Sequence, residues 1–222
     1  MKKILLAITM VVSALTSVAQ NSAIHKVEFM VEKERYEEAL QIIETALANP
    51  KTTKFAGFYY NKGEVNRKYF ERVLDQASQE YPFDTLAFCT YLDEAVTNFV
   101  KSHLADMTPD KKGRVEPQYK EKNYLTLKAM VNYYNYAGVF ANQMGDYKNS
   151  IKWFRKYYEF PTLPVFTKAE TDSLYAINPQ NYSQTAVNIV MLNFQMKDWD
   201  GVLETVDAAL KDTFSTRDLY LM

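Results

Sequence analysis

Apolar residues recur along this chain with the period of an α-helix. Counting from Tyr36, the residues Ala39, Leu40, Ile43, Ala46 and Leu47 follow at offsets 3, 4, 7, 10 and 11, which is one stripe of a helix. The same template starts at Tyr147, with Ser150, Ile151, Phe154, Tyr157 and Tyr158, and at Trp199, with Val202, Leu203, Val206, Ala209 and Leu210. A looser copy starts at Leu92, with Ala95, Val96 and Phe99. The starts lie 56, 55 and 52 residues apart, each with a ring or Leu at the origin and a small or β-branched residue three later. The pattern predicts helices over Ala23–Glu34, Tyr36–Ala48, Lys54–Ser78, Asp84–Ala105, Asn123–Met144, Tyr147–Glu159, Asn181–Met196 and Asp198–Lys211. Between them, Thr108–Lys122, with Pro109, Gly113 and Pro117, and Phe160–Pro179, with Pro161, Pro164 and Pro179, read as linkers.

Within the third pair, Leu127, Met130, Val131, Tyr134, Ala137, Gly138 and Ala141 form a core stripe, which turns Asn132, Asn135, Val139 and Asn142 to another side. Tyr134-x2-Ala137-Gly138-x2-Ala141, then Gly145-Asp146-Tyr147, then Ser150, Phe154, Tyr157 and Pro161, resembles a tetratricopeptide repeat. The departures are Ala137 where Leu is usual, Ala141 where Tyr is usual and Tyr157 where Ala is usual. Glu34-Arg35-Tyr36 through Pro50 and Lys197-Asp198-Trp199 through Leu210 resemble the second halves of further units. Tyr59-x2-Lys62-Gly63 resembles the opening of the unit that continues at Leu92-Asp93-Glu94-Ala95.

The resemblance implies an all-α protein, an α-solenoid of antiparallel helix pairs with about four helix-turn-helix units and long connectors. A small residue such as Gly138 lets the two helices of a pair approach, and the aromatic residues fill the gaps between pairs. It also implies a concave groove lined by the first helix of each unit. There Asn132, Asn135 and Asn142 would offer donors and acceptors to an extended peptide, with Tyr60, Glu64 and Arg67 on the corresponding face of the second unit.

The first residues are of another kind. Lys2 and Lys3, the apolar run Ile4–Leu15 and the small residues at Ser17-Val18-Ala19 follow the order of a secretory signal peptide. Residues 1–19 are therefore set apart from a helical domain over 20–222, and the mature chain is expected in the periplasm, at the cell surface or secreted. The remaining 24 basic and 27 acidic residues give it a charge of −3, with no basic stripe to attract nucleic acid. No stretch of the mature chain is apolar enough to predict a membrane span. Cys89 is the single cysteine, so no internal disulfide can form, and its apolar neighbours predict a buried, inert thiol.

Candidate chemistry is sparse. His25 and His103 have no second ligand at metal spacing and read as ordinary, partly exposed helical residues. No phosphate loop, dinucleotide turn or nucleophile elbow is present, so no catalytic residue, metal or cofactor is expected. Glu37-Glu38 and Asp93-Glu94 read as acidic pairs at helix N-termini, and Lys111-Lys112-Gly113-Arg114 as a solvated basic loop tip. Asn181-Tyr182-Ser183 fits an N-glycosylation acceptor. Asp84-Thr85-Leu86 and Asp172-Ser173-Leu174 resemble an O-glycosylation motif of exported Bacteroidetes proteins, although Asp84 also fits an N-cap. Asp212–Met222 reads as a turn and the start of a further helix that leaves Leu219, Tyr220 and Leu221 unburied, as in a fragment of a longer protein. The function expected is a non-catalytic scaffold with a peptide or protein partner. The alternative is an accessory module of a larger exported protein or enzyme whose active residues lie in the linkers or in a further C-terminal part.

Overall fold

A computed structural model of the chain describes residues 21–50, 52, 54–79, 84–110 and 112–211, with side chains omitted at 77–79. The predicted signal peptide and the segment Asp212–Met222 lie outside them. The described residues are helical, with no strand. The elements are α1 (21–32), α2 (Tyr36–Leu47), α3 (Ala56–Gln79), α4 (Thr85–Asp106), α5 (Lys120–Met130), α6 (Tyr133–Gln143), α7 (Tyr147–Glu159), a short 3-10 turn (Phe160–Thr162), α8 (Lys168–Ile177), α9 (Pro179–Gln195) and α10 (Trp199–Leu210).

Three of the connecting turns are the same object. The backbone N–H of Arg35 donates to Met30 O at 2.8 Å, that of Asp146 to Ala141 O at 2.9 Å and that of Asp198 to Asn193 O at 2.9 Å. The residue before each donor, Glu34, Gly145 or Lys197, has φ of 58°, 75° or 61°, the left-handed conformation that closes a helix C-terminus. The residue after each donor opens α2, α7 or α10, so three of the four predicted origins sit where the chain reverses. Asp146 and Asp198 also cap the new helix, accepting from Asn149 N at 3.2 Å and Gly201 N at 3.0 Å.

Close approach then aligns the helices of each pair antiparallel. A Cβ built on Gly138 would lie 2.5 Å from Phe154, and Ser150 Oγ donates to Gly138 O at 2.8 Å, so α6 and α7 meet with almost nothing between them. Gly63 plays the same part under Phe99 of α4, at 2.8 Å. In the last pair the glycine has moved to the second helix, where Gly201 lies under Asn193 of α9. A core running from Phe70 through Leu92, Tyr134 and Tyr157 to Tyr182 joins α3 to α9, and a smaller one, from Ile24 to Val65, joins α1 and α2 to α3. Each fully buried Phe or Leu in these clusters contributes roughly 1.5–3 kcal/mol of transfer free energy.

The structure corrects several details of the sequence reading. Leu92 lies well inside α4, which starts at Thr85 on an Asp84 cap, because α3 and α4 are 24 and 22 residues long and α4 begins seven residues before the template. Asp93 and Glu94 are consequently interior helix residues, whereas Glu37 and Glu38 do lie in the first turn of α2. The third unit's first helix is interrupted at Val131–Asn132, which keep helical dihedrals, and so forms two segments, α5 and α6. The linker Phe160–Pro179 is largely helical: Thr167 and Glu170 form a capping box that starts α8, and Thr171 Oγ1 ties α8 to Pro161 O at 2.6 Å. His103 is buried, 6% exposed, beneath the loop that follows the 3-10 turn; His25 is exposed.

Candidate functional site

Helices α3, α5–α6 and α9 each carry one stripe, at offsets 0, 4, 7 and 11, that is half-buried on α3 and mostly exposed on the other two. On α3 it is Tyr60, Glu64, Arg67 and Glu71; on α5–α6, Leu125, Ala129, Asn132 and Tyr136; on α9, Gln184, Asn188, Met191 and Gln195. Leu125 and Tyr136 are 56% and 51% exposed, large apolar surfaces left uncovered on otherwise well-packed helices. Between α3 and α5 runs a groove of about 430 Å³, with Arg67 and Glu71 on one wall and Leu125, Thr126 and Ala129 on the other.

The α3 wall holds its charges in fixed positions. Arg67 donates from Nη2 to Glu64 Oε2 at 2.7 Å and from Nε to Oε1 at 3.2 Å, and from Nη1 to Glu71. Partial burial works against its charge, but Glu64 and Glu71 more than offset this and raise the Arg67 pKa. Glu64 and Arg67 are thus partners of each other, and a ligand must work around or replace that pairing. Tyr60 packs against Tyr119, ring centroids 4.7 Å apart, and lies beneath Lys122 Nζ at 5.5 Å. Burial pushes its hydroxyl up to about 12, so it is a neutral donor at ordinary pH.

The predicted groove residues fall into two sets. Arg67 lines the channel, Tyr60 packs against Tyr119 just before α5 and Glu64 is paired with Arg67, while Asn132 is exposed at the α5–α6 junction and does not line the channel. Asn135, half-buried, and Asn142, exposed, follow the side of α6 on which Val139 packs against the Phe154, Ile189 and Leu192 cluster, toward α9. Val139 is therefore partly a core residue, a role its place among three asparagines conceals.

A second concavity, on the other side of α4, has no counterpart in the sequence reading. Two cavities of about 290 and 390 Å³ meet at Asp93. Tyr134 Oη donates to Asp93 Oδ1 at 2.8 Å, and Lys156 pairs with the same carboxylate while lying over the Trp153 ring at 5.4 Å. Burial first, then Asp93, drives the Tyr134 hydroxyl well above its ordinary value. Cys89, lining the first cavity, is buried, and burial pushes its thiol up to about 11. It is therefore a poor nucleophile. Asp93 and Lys156 are 63 residues apart, and neither belongs to a motif, so only the folded arrangement of α4 and α7 pairs them.

Among the described residues, no three His, Cys, Asp or Glu side chains converge to hold a metal ion, and no helix is long and apolar enough to cross a membrane. At the basic loop, Gly113 and Arg114 are exposed and Arg114 is paired with Asp110 at 3.0 Å, an internal clasp. No family model, no curated protein and no solved structure matches the chain.

Proposed function

We propose that this protein is a non-catalytic interaction scaffold of tetratricopeptide-repeat type, exported from the cell, which holds a peptide or protein segment along the groove between α3 and α5. The observation that carries the reading is the groove itself: an exposed Leu125 faces an ion-paired Arg67 across an open channel. Such a channel accepts an apolar side chain on one wall and backbone polar groups on the other, as peptide recognition requires. The three turns with the same backbone hydrogen bond and the glycine-mediated pairs support a repeat. Asn132, Asn135 and Asn142 lie outside the channel, the last two on the side of α6 toward α9, and would meet the partner where it runs on past α5.

The test uses the chain without residues 1–19 as bait for an envelope fraction, followed by titration calorimetry with the captured partner. Leu125→Ser, and separately Asn132, Asn135 and Asn142 all replaced by Ala, should each weaken binding about tenfold with an unchanged melting midpoint, since a few lost hydrogen bonds or one lost apolar contact amount to about 1–2 kcal/mol. Full-strength binding by both folded variants would refute the groove. Finding the native protein in the cytoplasmic fraction would refute export.

A further inference from the structure

A surface on the last described helix pair is built to be covered, and the repeat register says by what. Shifting by 52 residues carries the α6–α7 turn onto the α9–α10 turn, with Gly145 falling on Lys197 and Asp146 on Asp198 in the same backbone hydrogen bonds. The shift carries Val139, Tyr147 and Ile151 onto Met191, Trp199 and Leu203. In the inner pair these three positions pack against Ile189 and Leu192 of α9, and Gln195 of α9 donates to Tyr147 Oη at 2.9 Å. In the outer pair Met191, Trp199 and Leu203 are 56%, 55% and 63% exposed, and Phe194, edge-on to Trp199 at 5.2 Å, is 61% exposed. Four large apolar side chains thus stand uncovered at or beside positions where the inner pair receives a helix.

Charge identifies the kind of helix. Across the inner junction Arg155 of α7 pairs with Glu204 of α10 at 2.9 Å. The same shift places Asp207 where Arg155 stood, and Asp200 is also exposed on that flank. No basic residue lies within α10. Asp207 thus stands where Arg155 met α10, and a helix that covers the apolar face and lies along this flank meets the carboxylates of Asp200 and Asp207, for which it needs Lys or Arg.

We infer that the face formed by Met191, Phe194, Trp199 and Leu203 is a docking surface for an amphipathic partner helix with an apolar stripe flanked by basic residues. This surface is separate from the α3–α5 groove and does not rest on it.

The probe is a synthetic helix of roughly 18 residues with Leu at i, i+3, i+4 and i+7 and Lys at the flanking positions, compared with a counterpart carrying Glu there. Fluorescence anisotropy should give about tenfold tighter binding of the Lys peptide than of the Glu peptide. Leu203→Ser should lower that affinity about tenfold with an unchanged melting midpoint, and Leu125→Ser should leave it alone. Asp200→Lys with Asp207→Lys should reverse the preference. Equal binding of both peptides, or binding unchanged in Leu203→Ser, overturns the proposal. So does protection of Trp199 from acrylamide in the free protein, by residues 212–222 if independent of concentration, or by a second copy if it grows with concentration.

Discussion

Gly138→Ala adds a single methyl group, and the structure states where it goes. Its Cβ would lie 2.5 Å from Phe154 Cδ1, far inside van der Waals contact. Phe154 is 1% exposed and packs against Ile189 and Leu192, so the ring has no free space into which to swing. Overpacking of this kind costs about 1–3 kcal/mol. Replacing Gly by Ala inside a helix returns about 0.8–1 kcal/mol of propensity. The expected outcome is a net loss of about 0–2 kcal/mol, or up to ~8 °C in Tm at 2–4 °C per kcal/mol for a chain of this size. A double-mutant cycle followed by calorimetry tests the cause. Phe154→Leu alone should destabilise by opening space, and Gly138→Ala should cost less in the Phe154→Leu background than in the native one. Strictly additive effects would mean that Gly138 and Phe154 are not in contact and that the pair does not close as described.

Lys197 occupies the left-handed position that Gly145 fills in the equivalent turn, so Lys197→Gly should stabilise by about 0.5–1 kcal/mol; an unchanged or lower Tm would argue against the positive φ. His103 gives a pH dependence. Burial holds its pKa below 6.5, Lys120 acts in the same direction, and Asp106 and the Pro164 carbonyl oppose it, while Nδ1 finds no partner among the described residues. The unfolded chain binds the proton more readily, so the folded state should have its full stability above pH 6.5 and lose part of it as pH falls through the lower folded-state value. His103→Gln should flatten this slope in thermal melts between about pH 7 and 5, and an identical slope in both proteins would show that His103 is not the titrating group.

The sequence alone determined most of the helices and three of the points where the chain turns back. Period and punctuation are local properties: Tyr36, Tyr147 and Trp199 each follow a residue that leaves the helical region, and Asp146 and Asp198 carry side chains that can restart a helix. Gly138 was legible as a contact point because only a missing side chain explains a glycine in that apolar stripe. The helix hidden in the 160–179 linker was also within reach, since Thr167-x-x-Glu170 is a capping box, but three prolines outweighed it. The candidate groove was legible only in part. Of the candidate residues Arg67 lines the α3–α5 channel, but that it is already held by two carboxylates depends on side-chain rotamers that spacing does not specify. What the tertiary structure decided is everything that joins distant segments: Asp93 with Lys156, Tyr157 stacked on Tyr182, His103 beside the Pro164 loop, and an outer face whose exposure stands out only beside its covered twin. Hydrophobic periodicity says which side of a helix is buried; it carries no term for which other helix buries it, because that choice is made by shape and charge among faces the chain brings together only on folding.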